Sequence, residues 1–388
     1  MTGGSGAPPV GSRGAQRVDV LVVGAGLAGL RTATLLADHG HEVLLVERRA
    51  SLSGGIRTTG IFVRKTLDDF PVSARHLGPP IRRVVLYPPS RRSPVVLVSD
   101  RDEFRVADMA GLYRSAGRSA TVAGVRTLLG TRYVSTTGSV SRLSTSEGPL
   151  SVRARFVVGA DGARSAVARD LGLDRNRHLL VGAERVFQTM GEADREPTFH
   201  CILDPRVAPG YLAWVVDDGR HVHVGVAGYR DRFPGGLRAA LDQFGQTAPG
   251  LSASCPPQEI ERRGGPIPVG GVLRRICCDR GLLVGDAAGA VSPLTAGGLD
   301  PCMRMSEQAA FVIGDALRHR RGGGPTGYDG EALRRQFRGR LALRRGLAQV
   351  RTSFAAEAAF SLLRNPLGKA AAGRVLFGDR SFPDAPER

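Results

Sequence analysis

Glycines at 24, 26 and 29, in the run Gly24-Ala25-Gly26-Leu27-Ala28-Gly29, are followed about 20 residues later by a carboxylate at Glu47. Each residue type has a physical task. Gly24 allows a tight turn, Gly26 lets the backbone approach a pyrophosphate, and Gly29 lets a helix lie close on a strand, while the helix N-terminus offers unpaired N–H groups to the anion. Glu47 can accept both hydroxyls of an adenosine ribose and repels a 2′-phosphate, which favours FAD or NAD over NADP. Leu27, Ala28 and Arg48 complete the expected cofactor contacts of this first pattern.

Two further turns repeat the theme of an acidic residue beside glycine at the end of an apolar run. One is Val157-Val158-Gly159-Ala160-Asp161-Gly162-Ala163-Arg164-Ser165; the other is Leu282-Leu283-Val284-Gly285-Asp286-Ala287-Ala288-Gly289, continuing through Ser292-Pro293-Leu294-Thr295-Ala296 to Gly297 and Gly298. Strand ends of open parallel sheets are where such folds bind cofactors.

The elements that must position these turns follow from periodicity. Val18 to Val23 reads as a buried strand, Leu27 to His39 as a helix and Glu42 to Val46 as a second strand, giving a βαβ unit. The stretch Ser51 to Arg101 is broken by Gly and Pro, with short β-like runs at Val84 to Tyr87 and Val95 to Val98. Arg105 to Ala123 is expected to be a helix, Thr127 to Val134 and Ser139 to Leu143 strands, and Phe156 to Val158 an apolar strand of the first sheet. Between Leu180 and Arg263 the alternation of strands, with Tyr211 to Val216 and His221 to Val226 joined across Asp217, Asp218 and Gly219, predicts an antiparallel sheet. A long helix is expected from Gly297 to Leu317, and mostly helix from Asp329 to Leu376.

The expected architecture is α/β, a Rossmann-like domain with an inserted antiparallel substrate domain and a helical C-terminal region. Its limits are a disordered lead-in at 1–17, a discontinuous nucleotide domain at 18–60, 100–175 and 264–325, a substrate domain at 61–99 and 176–263, and helices over 326–388. A chain of 388 residues can bury more than one core.

Composition narrows the partners. The formal charge of +18 invites a nucleic-acid reading, but only Lys65 and Lys369 are lysines and the arginines are spread along the chain, so no nucleic-acid partner is expected. Basic residues thicken through Arg334, Arg335, Arg338, Arg340, Arg344, Arg345 and Arg351; the two readings are a solvated helical face and peripheral membrane attachment. No apolar run reaches the roughly 20 residues a membrane span needs, and no secretion signal is present, so a cytoplasmic protein is expected. The odd set Cys201, Cys255, Cys277, Cys278 and Cys302 suits reduced thiols. No metal is expected, since His221 and His223 share one side of a strand without an evident partner cluster, and no GxSxG nucleophile pattern occurs. The oligomeric state is left open.

With these motifs in order, the sequence resembles the flavoprotein superfamily of p-hydroxybenzoate hydroxylase, most closely its geranylgeranyl reductase group. The resemblance covers residues 18 to 50, 100 to 170 and 265 to 315, with further likeness in Gly265-Pro266-Ile267-Pro268-Val269-Gly270-Gly271 and in Gly210-Tyr211-Leu212-Ala213-Trp214-Val215-Val216. It implies FAD as cofactor with NADPH or NADH as electron donor. The first motif would hold the ADP half. Asp161 and Gly162 would serve FAD and the nicotinamide donor, Gly285 and Asp286 the ribitol chain, and the helix start at Gly297 and Gly298 the flavin O2 region. Arg105 would lie against FAD, with Asp108 as the alternative alignment. Ser53, Gly54, Gly55, Trp214 and Pro293 are the expected cavity residues, Trp214 being either a cavity wall or a core tryptophan.

Three departures stand out. Ser53 takes the place of a cysteine found in many of these reductases, Leu212 that of an aromatic residue, and the usual proline is missing near Asp217. Lys65 is the position to compare with the lysine of flavin halogenases, but their GWxWxIP motif is absent and a surface role is expected. The resemblance implies reduction of double bonds in a small, lipophilic or natural-product substrate. The alternatives are an FAD-dependent monooxygenase and a flavin-binding basic surface protein with little turnover; the catalytic residues are not identified by the motifs.

Overall fold

A computed structural model describes residues 15–188, 196–218, 220–249, 258–319, 324–325 and 327–377. The chain opens with β1 (Gln16–Val23), α1 (Leu27–Asp38) and β2 (Val43–Val46), the βαβ unit expected from the apolar periodicity. Val20, Leu21 and Val22 have no exposed surface, and each contributes about 1.5–3 kcal/mol by burial. Small residues on α1 (Ala28, Gly29, Ala33) face inward and bring the helix close to the sheet. Gln16 and Arg17, expected in the lead-in, belong to β1; residues 1–14 of that stretch lie outside the described residues.

Next come β3 (Ile61–Val63), α2 (Arg64–Asp69), β4 (Leu77–Ile81), β5 (Arg83–Tyr87) and β6 (Val95–Val98). β7 (Phe104–Ala107) then precedes α3 (Met109–Val122). Here the expected helix starts too early: Phe104 to Ala107 pair with β3 and β4, and the helix begins only where the Asp108 side chain accepts the Gly111 N–H. β8 (Arg126–Leu128), β9 (Arg132–Thr137), β10 (Val140–Thr145) and β11 (Gly148–Gly159) follow, splitting in two the strand expected over Thr127 to Val134.

After α4 (Ala166–Asp170) the chain makes β12 (Leu179–Gln188), β13 (Thr198–Ile202), β14 (Ala213–Asp217) and β15 (His221–Gly228). It continues with α5 (Gly236–Thr247), β16 (Glu259–Pro268), β17 (Cys277–Cys278), β18 (Gly281–Leu283) and α6 (Leu299–Arg318). The last described elements are three helices, α7 (Glu331–Leu347), α8 (Ser353–Ser361) and α9 (Pro366–Phe377).

The first sheet runs β17-β18-β11-β1-β2-β8, with β9 and β10 attached antiparallel to β11. β18, β11, β1 and β2 are parallel, with α1 and α6 packed together beside them. The second sheet runs β16-β12-β15-β14-β13-β5-β6 and is mostly antiparallel, which joins the two segments assigned to a substrate domain. The small sheet β3-β7-β4 combines residues 61–81 with 104–107, so the expected limits at 60/61 and 99/100 cut across it. The register carries the functional consequence: Val23 pairs with Gly159 and Gly159 with Leu283, so three motif strands end side by side.

Candidate functional site

The three turns extend from those strand ends into one cavity of about 1130 Å³. Its lining includes Gly24, Gly26, Leu27, Ala28, Glu47 and Arg48 from the first motif, Asp161 and Gly162 from the second, and Gly285, Asp286, Gly297 and Gly298 from the third. Backbone hydrogen bonds clamp the turns together, Ala160 N–H donating to Val23 O and Val284 N–H to Gly159 O. Asn176, which the motifs do not contain, donates from its amide to both Ala163 O and Asp286 O, tying the second turn to the third.

The first turn is shaped for an anion. Gly26 is the N-cap of α1 with no side chain capping it, and no acidic residue sits in the first helical turn. A Cβ at Gly26 would meet nothing within 4 Å, whereas one at Gly24 would lie 2.4 Å from Ala160 O. Space is therefore left on the cavity side and none on the protein side. The helix's orphan N–H groups and the positive end of its dipole face that space.

Glu47 stands beside it, 6% exposed. Its Oε2 accepts the Ala25 N–H at 2.9 Å, and its Oε1 accepts the Arg49 N–H at 2.9 Å with Arg49 Nε at 3.1 Å. Burial works to raise the pKa of this carboxyl, but the hydrogen bonds from Arg49 and Ala25 hold it below the ordinary value. Arg49 also lies over the Tyr113 ring. Neither residue was singled out by the motifs; a basic residue two positions after the ribose carboxylate was the only available signal for Arg49.

Asp161 is committed differently. Its carboxylate accepts from Ser165 Oγ at 2.6 Å and from the amides of Ala166 and Val167 at 2.7 and 3.2 Å, so it caps α4 from the cavity wall. Burial raises its pKa, with those three donors opposing. Asp286, by contrast, has no side-chain hydrogen bond among the described residues, and burial alone pushes its pKa up to about 6. A buried carboxyl without donors is an acceptor waiting for a hydroxyl. Gly298 caps α6 without a side-chain bond, leaving the start of that helix open toward the same space.

Several expected residues are not brought in. Arg105 is on β7 and absent from the lining, because the chain is still in a strand there; Asp108 caps α3 instead. Ser53, Gly54 and Pro293 also lie off the cavity wall, although Gly55 and Leu294 line it. Lys65, expected at the surface, lines the cavity and is 2.9 Å from Asp69 Oδ1, one helical turn away on α2. Trp214 is a wall: its ring lies over Gly225, where a Cβ would be 2.0 Å away, and its Nε1 donates to Glu184 Oε2 at 3.0 Å. His221 and His223 are not isolated, since Asp218 comes within ligand distance of both. His223 Nδ1 is turned to Glu184.

Beyond the turns the cavity becomes apolar. Leu343 and Leu347 of α7, Phe360 of α8 and Val375, Leu376 and Phe377 of α9 form its outer walls. Arg340 holds α7 to the third motif by donating to Ser292 Oγ at 2.9 Å. The residues present therefore fit a long dinucleotide at the glycine turns and an extended hydrocarbon beyond it.

Residues 22–80 match the family model described as an NAD(P)-binding Rossmann-like domain, and residues 119–229 that described as an FAD binding domain. A digeranylgeranylglycerophospholipid reductase of Methanothrix thermoacetophila is 30% identical over 330 residues, 81% of each chain. Digeranylgeranylglycerophospholipid reductase 1 of Methanopyrus kandleri is 31% identical over 313 residues, 77% of this chain and 81% of the relative. Among solved structures, a geranylgeranyl bacteriochlorophyll reductase-like protein from Thermoplasma acidophilum shares the fold with a TM-score of 0.81 at 21% identity, covering 95% of this chain and 98% of that one. The p-nitrophenol 4-monooxygenase of Pseudomonas putida shares it with a TM-score of 0.65 at 19% identity, covering 95% of each.

Proposed function

The chain belongs to the family of digeranylgeranylglycerophospholipid reductases, FAD-dependent oxidoreductases, and on that premise we propose that it saturates double bonds in the isoprenoid chains of a lipid. The observation that carries this reading is one continuous cavity, polar at the glycine turns and apolar between α7, α8 and α9.

Each turn has a task in this proposal. The Gly24–Gly29 turn and α1 hold the pyrophosphate, and Glu47, kept ionised by Arg49 and Ala25, accepts the adenosine ribose hydroxyls. Asp286 accepts a ribitol hydroxyl, and the uncapped start of α6 at Gly297 and Gly298 faces the flavin O2 region, where its dipole favours negative charge. Asp161 serves mainly by capping α4 and so fixing the Gly162 turn. FAD, when bound, supplies hydride to the alkene. The chain orients the hydrocarbon with Trp214 and the helical walls and keeps water out. NADH or NADPH is the proposed donor; since FAD takes the Gly24–Gly29 turn, the nicotinamide would be received elsewhere along the cavity.

A lipid substrate also needs a route out of its bilayer. Leu343, Leu347 and Leu362 line the cavity and are exposed as well, next to exposed Phe354 and Leu367. Between residues 341 and 377 six basic residues face one acidic residue, Glu357. An apolar rim set among arginines suits an anionic membrane surface, and the proposal includes peripheral attachment there. No helix among the described residues is long and apolar enough to cross a membrane.

The test is product mass. Purified holoprotein, a nicotinamide donor and digeranylgeranylglycerophospholipid vesicles should yield lipid gaining two hydrogens per double bond, equally under air and nitrogen. Addition of oxygen, lost under nitrogen, would establish a monooxygenase instead, and absence of any turnover would favour a flavin-binding surface protein.

A further inference from the structure

Four ionisable side chains and one hydroxyl run through the second sheet from solvent to the cavity. His221, 40% exposed, starts β15 with its Nδ1 3.9 Å from Asp218 Oδ2. That carboxylate oxygen is 3.4 Å from His223 Nε2, and His223 Nδ1 is 3.3 Å from Glu184 Oε1. The other Glu184 oxygen accepts from Trp214 Nε1 and from the hydroxyl of Thr59. Thr59, Glu184 and Trp214 all line the cavity. The order follows from strand geometry: residues 221 and 223 share a face of β15, and Val186 pairs with His223, which puts Glu184 diagonally across from it on the same face.

Cations face both buried carboxylates of the file. Arg263 Nη1 is 3.6 Å from Glu184 Oε1 and donates to the carbonyls of Thr58 and Thr59, while its Nη2 is 2.7 Å from Glu261. Protonated His223 and Arg263 thus face ionised Glu184 and Asp218, with Asp217 and Arg220 next to Asp218 in the turn. Burying such a set costs several kcal/mol per ion before pairing, and apolar residues would serve the sheet as well. Stability gives little reason to keep a charged file that opens on a substrate cavity.

We propose that His221, Asp218, His223, Glu184 and Thr59 form the route by which a proton reaches the substrate. The proposal rests on the reading of the chain as a double-bond reductase. Saturating one double bond puts a hydride, with both electrons, on one carbon and a proton on the other; the first is the reduced cofactor's contribution. As the second C–H bond forms, the Thr59 O–H bond breaks; the His223 Nδ1–H bond breaks to protonate the Glu184 carboxylate, and the neutral carboxyl so formed returns a proton to Thr59 Oγ1 and is ionised again. His223 is then reprotonated from water through Asp218 and His221. One proton is drawn from solvent per double bond, and no further oxidant or reductant enters.

Protonation at neutral pH is built in. Burial opposes a charged His223, but the hydrogen bonds and charges of Asp218 and Glu184 raise its pKa to about 9. Against their own burial, Glu184 and Asp218 are held below the ordinary carboxylate range by these same contacts. The donor form of His223 is therefore present below pH 9 and lost above it.

The experiment uses holoprotein reduced anaerobically with dithionite and mixed with digeranylgeranylglycerophospholipid vesicles, following flavin reoxidation by absorbance. The wild-type rate should be level to about pH 9 and fall beyond. His223→Gln and Thr59→Val should keep their flavin but reoxidise roughly 100-fold more slowly, the size expected for general acid catalysis. In His223→Gln the fall near pH 9 should vanish, which a packing role would not cause. If His223→Gln loses its flavin, Thr59→Val decides alone. Wild-type rates in a flavin-replete variant would overturn the route. Failure of wild-type enzyme to be reoxidised by the lipid would overturn the reductase reading itself, and the route with it.

Discussion

The three glycines of the first turn should respond to substitution in two opposite ways. At Gly24, φ is +102° and an added Cβ would sit 2.4 Å from Ala160 O; at Gly29 it would sit 1.9 Å from Gly24 O. Overpacking costs about 1–3 kcal/mol, and a non-glycine residue held at positive φ costs a further 1–3 kcal/mol or so. Gly24→Ala should therefore lose roughly 2–6 kcal/mol of stability and Gly29→Ala roughly 1–3 kcal/mol or more, with or without FAD. Gly26 has φ −72° and ψ 176°, values any residue adopts, and its Cβ direction is open to the cavity. Gly26→Leu should leave the apoprotein's urea midpoint near wild type yet fill the pyrophosphate space. With free FAD at about 100 times Kd, binding stabilises wild type by about 2.7 kcal/mol, an increment the variant should lack. Urea unfolding with and without FAD, and flavin absorbance after gel filtration, measure both quantities. A Gly26→Leu protein that stays yellow, or a Gly29→Ala protein as stable as wild type, would refute the assignment of space and support to these positions.

Glu47→Arg should abolish flavin retention, since it puts a cation against Arg49 and removes the ribose acceptor; full flavin occupancy by absorbance would contradict the ribose role. Asp286 gives a pH-dependent prediction. Its pKa in the cofactor-free fold is raised to about 6 by burial, so its favourable contribution is complete below the ordinary value near 4 and is lost as pH rises through 6. Cofactor-free Asp286→Asn should thus gain on the order of 1–3 kcal/mol at pH 7 and almost nothing at pH 4, while binding FAD more weakly. Equal gains at both pH values would sink that account. Phe354→Asp combined with Leu367→Asp should release the protein from phosphatidylglycerol vesicles in co-sedimentation, and raised salt should weaken wild-type binding; unchanged binding of the double variant would argue against the proposed membrane face.

Much of the cofactor end could be read from the chain because its chemistry is local. A glycine turn followed by a carboxylate is a backbone requirement that leaves few residue choices, and Gly24, Gly26, Glu47 and Asp286 all come to one cavity, with Gly29 packed behind it against Gly24 O. Where local propensity competed with pairing, the reading slipped. Arg105 belongs to a stretch with helical composition, yet β3 and β4 on either side hold it in a strand and away from the cavity. Ser53 and Gly54 failed for a related reason: an irregular loop has no period from which to tell its inner face, and only Gly55 of the three lines the cavity.

The sequence by itself determined the type of sheet, the dinucleotide turn and the order of the three motifs, since apolar periodicity and glycine freedom act over a few residues. Only the tertiary structure decided what meets across the chain. Asn176 joining two motifs, Arg49 gripping Glu47, α7 to α9 walling the cavity, and Thr59 reaching Glu184 across 125 positions depend on how the sheets and helices are packed. Such contacts join residues whose types are common and whose separations have no period, so they leave no signature in a single chain.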